Sequence, residues 1–266
     1  MKDNIQKLLR QIENDYDVTV LFAIENGSRS WGMASKNSDY DVRFVFYRRA
    51  RDYFTMTPQK DVINAAYDAD MKPCEVQGSL IDISGFDIVK YLKLLAASNP
   101  TTIEWLYSPI VYYGSNDLPL RPYMRENFNR KSLVKHYFSL FINDYKRITA
   151  SSAPPPTYKK YLYGMRGLLN AEYVCHFDAI PPLSLANTVE EMRPFISPEL
   201  YHKVGEVIEL KSKGMEKDAI SRIAEFDAFF ADLAQKKQDN FSPTMPDSKF
   251  FDGFLQGLLF RECCVV

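Results

Sequence analysis

Residues 18–48 place the tightest constraint on what this chain can fold into. Residues 18–25 and 40–48 are runs rich in β-branched and aromatic side chains, and each predicts a strand. The polar loop between them starts at Gly27-Ser28 and delivers Asp39 and Asp41 into the second strand. Side chains alternate along a strand, so Asp39, Asp41 and Arg43 fall on one side and Tyr40, Val42, Phe44 and Phe46 on the other. Carboxylates held this close repel one another unless a cation lies between them. Hard oxygen ligands with room for water suit magnesium. A glycine at the preceding turn lets backbone approach an anion, and the N–H groups after it, with the Ser28 hydroxyl, form a cradle for phosphate oxygens.

The rest of the chain divides by hydrophobic period. Residues 3–14 predict a helix, and 61–66 a further short element. Residues 75–83 predict a third strand that ends Leu80-Ile81-Asp82-Ile83. Ser84 is expected to cap a helix over 85–97, with Asp87 as the capping-box acid, and Asn99-Pro100 to stop it. A helical turn at 101–106 and an edge strand at 109–113 complete a small mixed sheet with flanking helices. From Tyr123 the period becomes 3.6, and helices are expected over 123–149, 157–176, 184–193, 197–212, 215–238 and 247–260. The proline tract at 154–156 must be loop, because proline lacks an N–H and holds its predecessor extended. The expected architecture is α+β, with a sheet-bearing domain over residues 1–120 and an all-helical domain over 121–266.

Composition excludes several classes. No apolar run approaches the length of a membrane span, and the amphipathic N-terminus lacks the apolar core of a signal peptide. Cys74, Cys175, Cys263 and Cys264 have neither zinc spacing nor a disulfide pattern, so a reducing cytoplasm is the expected compartment. The final Cys-Cys-Val-Val formally matches a prenylation box, but without a basic cluster upstream it reads as an unstructured tail. Net charge is only -1, yet its distribution is uneven. Lys and Arg number 10 against 2 acids over residues 121–166, compared with 13 against 16 before and 10 against 16 after.

A Gly-Ser pair followed by Asp-x-Asp resembles the motif of the polymerase-beta nucleotidyltransferase superfamily. GSRSWG, SDYDVRF, DISGFDIVKYLKLLAASNPTTIEWLYSPIVY and KKYLYGMRGLL together resemble its RNA-ligase-associated branch, RlaP or YcgL-like, over residues 18–185. The resemblance implies a minimal nucleotidyltransferase domain, a helical C-terminal part and a two-metal phosphoryl-transfer site.

On this reading Asp39 and Asp41 hold two magnesium ions, or manganese in their place, while Gly27 and Ser28 orient the phosphates of a nucleoside triphosphate. A third carboxylate is needed to ligate the second metal and to accept the proton of an attacking hydroxyl. Asp82, at a strand, is chosen over Asp87, which a first-turn helical role explains. Arg43 shares the face of the two acids, and Arg29 stands beside Ser28. Lys159, Lys160 and Arg166 lie near one face of a basic helix that would meet triphosphate or an RNA strand, or else simply face solvent. Trp31 reads as a cover over apolar packing or, alternatively, as a stacking platform for a base. The expected activity is transfer of a nucleoside monophosphate to a hydroxyl of RNA or protein, with pyrophosphate released. The alternatives are a non-catalytic nucleotide- or RNA-binding module and an antitoxin-like partner-binding protein.

Overall fold

Ile5, Leu8, Leu9 and Ile12 recur at helical spacing, and the computed structural model buries all four on one face of α1 (Lys2–Tyr16). It describes residues 1–35, 38–150, 154–215, 218–234 and 245–260. The chain continues through β1 (Thr19–Asn26), the single turn α2 (Gly27–Ser30), β2 (Tyr40–Tyr47), β3 (Val62–Tyr67) and β4 (Ile81–Asp87). Next come α3 (Ile88–Ala96), α4 (Pro100–Tyr107) and β5 (Val111–Gly114). The remaining elements among the described residues are helices: α5 (Leu120–Glu126), α6 (Arg130–Thr149), α7 (Tyr158–Phe177), α8 (Leu185–Met192), α9 (Pro198–Leu210), α10 (Ala224–Ala234) and α11 (Ser248–Phe260). None of them is long and apolar enough to cross a membrane. The architecture is therefore mixed, one small sheet with flanking helices followed by helix alone.

Two compact units account for the contacts. One contains Met1–Gly27, Asp39–Phe128 and the segment from Met245 onward. Its sheet has the order β3-β4-β2-β1-β5, with β2 and β4 parallel and the other neighbours antiparallel. Val42, Phe44 and Phe46 enter its core with Ile63, Ile81, Ile83 and the apolar face of α1. The other unit contains Ser28–Ser38 and the described part of 129–244. Its core is built on α6 and α7, where Phe141, Tyr161, Phe226 and Phe230 pack edge to face or tilted. A Cβ on Gly167 would lie 2.9 Å from the Phe141 nitrogen and 3.0 Å from the Tyr137 carbonyl, so only glycine lets α6 and α7 approach this closely.

Several element boundaries differ from expectation. The third strand runs over 81–87 rather than 75–83, and residues 62–67 form a full strand beside it. Ser84 therefore caps nothing. Asp87 is itself the N-cap of α3, accepting from the Val89 N–H at 2.9 Å, because ladder pairing with β2 carries the strand on as far as Asp87. The helix expected over 123–149 is broken at Asn127–Asn129, where the Asn129 side chain accepts from the Ser132 N–H and starts a new helix. The helix expected from 215 starts only at Ala224. Cys263 and Cys264 lie outside the described residues.

Candidate active site

Asp41 and Asp82 meet because β2 and β4 are parallel and pair in register at these two residues. The Arg43 guanidinium lies between their carboxylates, 3.4 Å from Asp41 Oδ1 and 2.8 Å from Asp82 Oδ2. It also donates to the Val42 and Asp82 carbonyls, at 2.9 and 3.1 Å. Two carboxylates and one guanidinium leave the group one negative charge, in partly buried surroundings that screen it less than water would.

The turn that leaves β1 leaves room for Asp41. Gly27 has φ +63°, and a Cβ there would stand 2.0 Å from Asp41 Oδ2, so glycine meets both the backbone and the steric demand. The Asp41 N–H donates to Glu25 Oε1 at 2.8 Å. Glu25 is fully buried; its other carboxylate oxygen accepts from the Tyr112 hydroxyl, and its carbonyl accepts from Ser108 Oγ at 2.6 Å. A buried carboxylate thus braces the backbone of Asp41 from behind. Sequence reasoning missed Glu25, although a single acid inside the apolar strand Thr19–Asn26 was its visible signal.

The remaining residues singled out from sequence are dispersed between the units. Asp39 is exposed and immediately precedes β2. Asp87 lies five residues beyond Asp82, buried, with its carboxylate held by Arg48 at 3.1 Å and the Tyr53 hydroxyl at 3.0 Å. Burial nonetheless pushes its carboxyl pKa up. In the helical unit, Ser28 is buried and its carbonyl accepts from the Met33 N–H at 2.8 Å. Arg29 donates to the Ser38 carbonyl at 2.5 Å. The Lys159 ammonium lies 5.6 Å from the Tyr163 ring, and Lys160 acts on Asp144, whose carboxyl burial pushes up. Arg166, buried, covers the Trp31 ring at 4.0 Å, so Trp31 is packing for the helical core.

Among the described residues, no three His, Cys, Asp or Glu side chains are grouped so as to hold a metal. The donor chemistry still fits a hard divalent ion. Asp41 and Asp82 offer carboxylate oxygens from adjacent strands, and the Arg43 guanidinium stands in for a cation between them.

A model of the RlaP family, described as the RNA repair pathway DNA polymerase beta family, matches residues 1–256. The uncharacterized protein YcgL of Bacillus subtilis (strain 168) is 34% identical over 225 residues, 84% of this chain and 81% of that protein. The crystal structure of a nucleotidyltransferase-like protein from Exiguobacterium sibiricum 255-15 aligns over 97% of this chain and 91% of its own, at 12% identity and a TM-score of 0.31.

Proposed function

The chain belongs to the RlaP family, the RNA repair pathway DNA polymerase beta family, and on that premise we propose that it transfers a nucleoside monophosphate from a nucleoside triphosphate to the terminal hydroxyl of an RNA. A general nucleotidyltransferase role follows from the family. The observation that carries the finer reading is the in-register pair Asp41 and Asp82 bridged by Arg43 beside Gly27.

In this reading Asp41 and Asp82 would hold magnesium, with Asp39 reaching in from the exposed approach to β2, and the ion would neutralise charge on the phosphate oxygens. The backbone N–H groups that follow Gly27, with the Ser28 hydroxyl, receive the β and γ phosphates. Asp82 accepts the proton of the acceptor hydroxyl while its oxygen attacks the α-phosphorus. The bond from that phosphorus to the bridging oxygen breaks, and pyrophosphate leaves. Arg43 turns from its carboxylate partners toward the phosphate oxygens, where a planar guanidinium donates twice. Lys159 and Lys160 belong to the cation-rich stretch that favours a polyanionic partner, whereas Arg166 is committed to the Trp31 ring and Arg29 to the Ser38 carbonyl.

RNA is the acceptor favoured by the excess of cations over residues 121–166 and by the RNA repair description of the family. Cytoplasmic residence is part of the same proposal. The test is incubation with each α-labelled triphosphate, magnesium or manganese, and total cellular RNA and protein. Label on RNA, lost with EDTA, is the expected outcome. Label on a protein would instead assign a Ser, Thr or Tyr hydroxyl as acceptor, and triphosphate binding without any transfer would leave a non-catalytic binding module.

A further inference from the structure

Residues Ser28–Ser38 pack within the helical unit although the chain enters them directly from Gly27. Trp31 lies edge-on to Tyr163, with ring centroids 5.6 Å apart, and its carbonyl accepts from the Leu185 N–H at 3.1 Å. Two residues later Met33 is buried in the helical core, and its N–H closes a turn onto the Ser28 carbonyl at 2.8 Å. The Met33 carbonyl accepts a hydrogen bond from Lys211 Nζ.

Lys211 is fully buried, on the π-helical turn Lys211–Met215 that follows α9. Taking an amine wholly out of water is costly unless it is hydrogen-bonded, so apolar packing alone would favour leucine or methionine at this position. Lys211 itself keeps ordinary helical backbone, φ −61° and ψ −43°, and its side chain holds a loop carbonyl 178 residues away in sequence.

We propose that Lys211 is a positioning residue for the phosphate cradle. By holding the Met33 carbonyl it fixes the turn from Ser28 to Met33, and with it the direction of the backbone N–H groups that receive the triphosphate. The role in triphosphate binding rests on the nucleotidyltransferase reading; the pinning of the loop does not. Lys211 touches no reacting atom in this scheme, so its removal weakens triphosphate binding more than it slows chemistry.

The experiment compares full-length wild type with Lys211→Met, which keeps length and loses the donor, and Lys211→Gln, which keeps an N–H donor. Amide exchange in peptides spanning residues 28–35 is expected to rise about tenfold in Lys211→Met while α6 and α7 keep their protection. The KM for the triphosphate is expected to rise about tenfold with kcat within about threefold, and Lys211→Gln should recover part of both effects. Unchanged exchange over 28–35 would overturn the proposal, as would a fall in kcat at constant KM. Loss of protection throughout α6 and α7 would reduce Lys211 to a core residue and overturn it equally. A wild-type protein that transfers nucleotide from no triphosphate would sink the enzyme reading instead, with the exchange data still deciding whether Lys211 pins the loop.

Discussion

Asp41 is held by three separate constraints: its ladder partner Asp82, the guanidinium of Arg43, and the Glu25 carboxylate that accepts its backbone N–H. Asn has nearly the same shape as Asp but lacks the charge. Asp41→Asn is therefore expected to lower nucleotide transfer by about a thousandfold or more with the unfolding midpoint little changed, measured by labelled transfer and thermal unfolding. Transfer at the wild-type rate would remove Asp41 from the site. Gly27→Ala acts from the other side. Its methyl would enter the space of Asp41 Oδ2 on a backbone at φ +63°, so both activity and about 1–2 kcal/mol of stability should be lost. Gly27 and Asp41 each stood out in the sequence, Gly27 as a turn that lets backbone approach phosphate, but that this turn also leaves room for the Asp41 carboxylate is decided by the fold. Glu25 did not stand out, because nothing in a linear pattern tells a buried bracing acid from an ordinary interruption of an apolar strand.

α3 begins where β4 ends, and Asp87 serves both elements. Its carboxylate caps the Val89 N–H while binding buried Arg48 and the Tyr53 hydroxyl. Removing it strands a guanidinium whose side chain is 7% exposed, so Asp87→Ala should cost about 3–5 kcal/mol in a urea titration. Burial raises the Asp87 carboxyl above its ordinary 3.8 despite those three donors, so the folded chain holds its proton more tightly than the unfolded chain. Its contribution to stability is complete below 3.8 and declines as pH climbs through the raised native value. Urea titrations at a series of pH values above 3.8 should show wild type losing stability relative to Asp87→Ala as pH rises. A Ser84 cap was expected here because Ser followed three residues later by an acid is a valid local start signal. The strand won because its ladder bonds to β2 and β3 continue as far as Val62, Phe46 and Asp87, and a local cap cannot outweigh a two-sided ladder. The Asn127–Asn129 break escaped notice for a related reason. Asn weakens a helix without necessarily ending it, and here the Asn129 side chain serves as the cap of a new one.

At the scale of the molecule, the chain returns to its first unit after its helical stretch. In α11 the Phe250 ring stacks on Tyr123 with centroids 3.7 Å apart, Phe251 is buried, and the Tyr123 hydroxyl accepts from the Asp247 N–H at 2.7 Å. Truncation after residue 244 should therefore destabilise the sheet-bearing unit, which lacks the intervening helices, and lower its melting temperature by roughly 10 °C in a calorimetric scan. An unchanged first transition would show α11 to be a passive end. The period of the apolar residues announced nearly every helix, and the alternation of Asp41 with Val42 and Phe44 announced the face on which charge would collect. Both properties are local, set by 3.6- and 2-residue geometry within a few turns of chain. The company each face keeps is a matter of tertiary structure. Asp82 met Asp41 through a parallel pairing of strands about 40 residues apart, Glu25 was buried behind them by β5 and Tyr112, and the loop after Gly27 was claimed by Lys211 from the far end of the chain. Such contacts are chosen by which buried surfaces and hydrogen bonds can be satisfied together across the whole fold, a condition that no window of sequence contains.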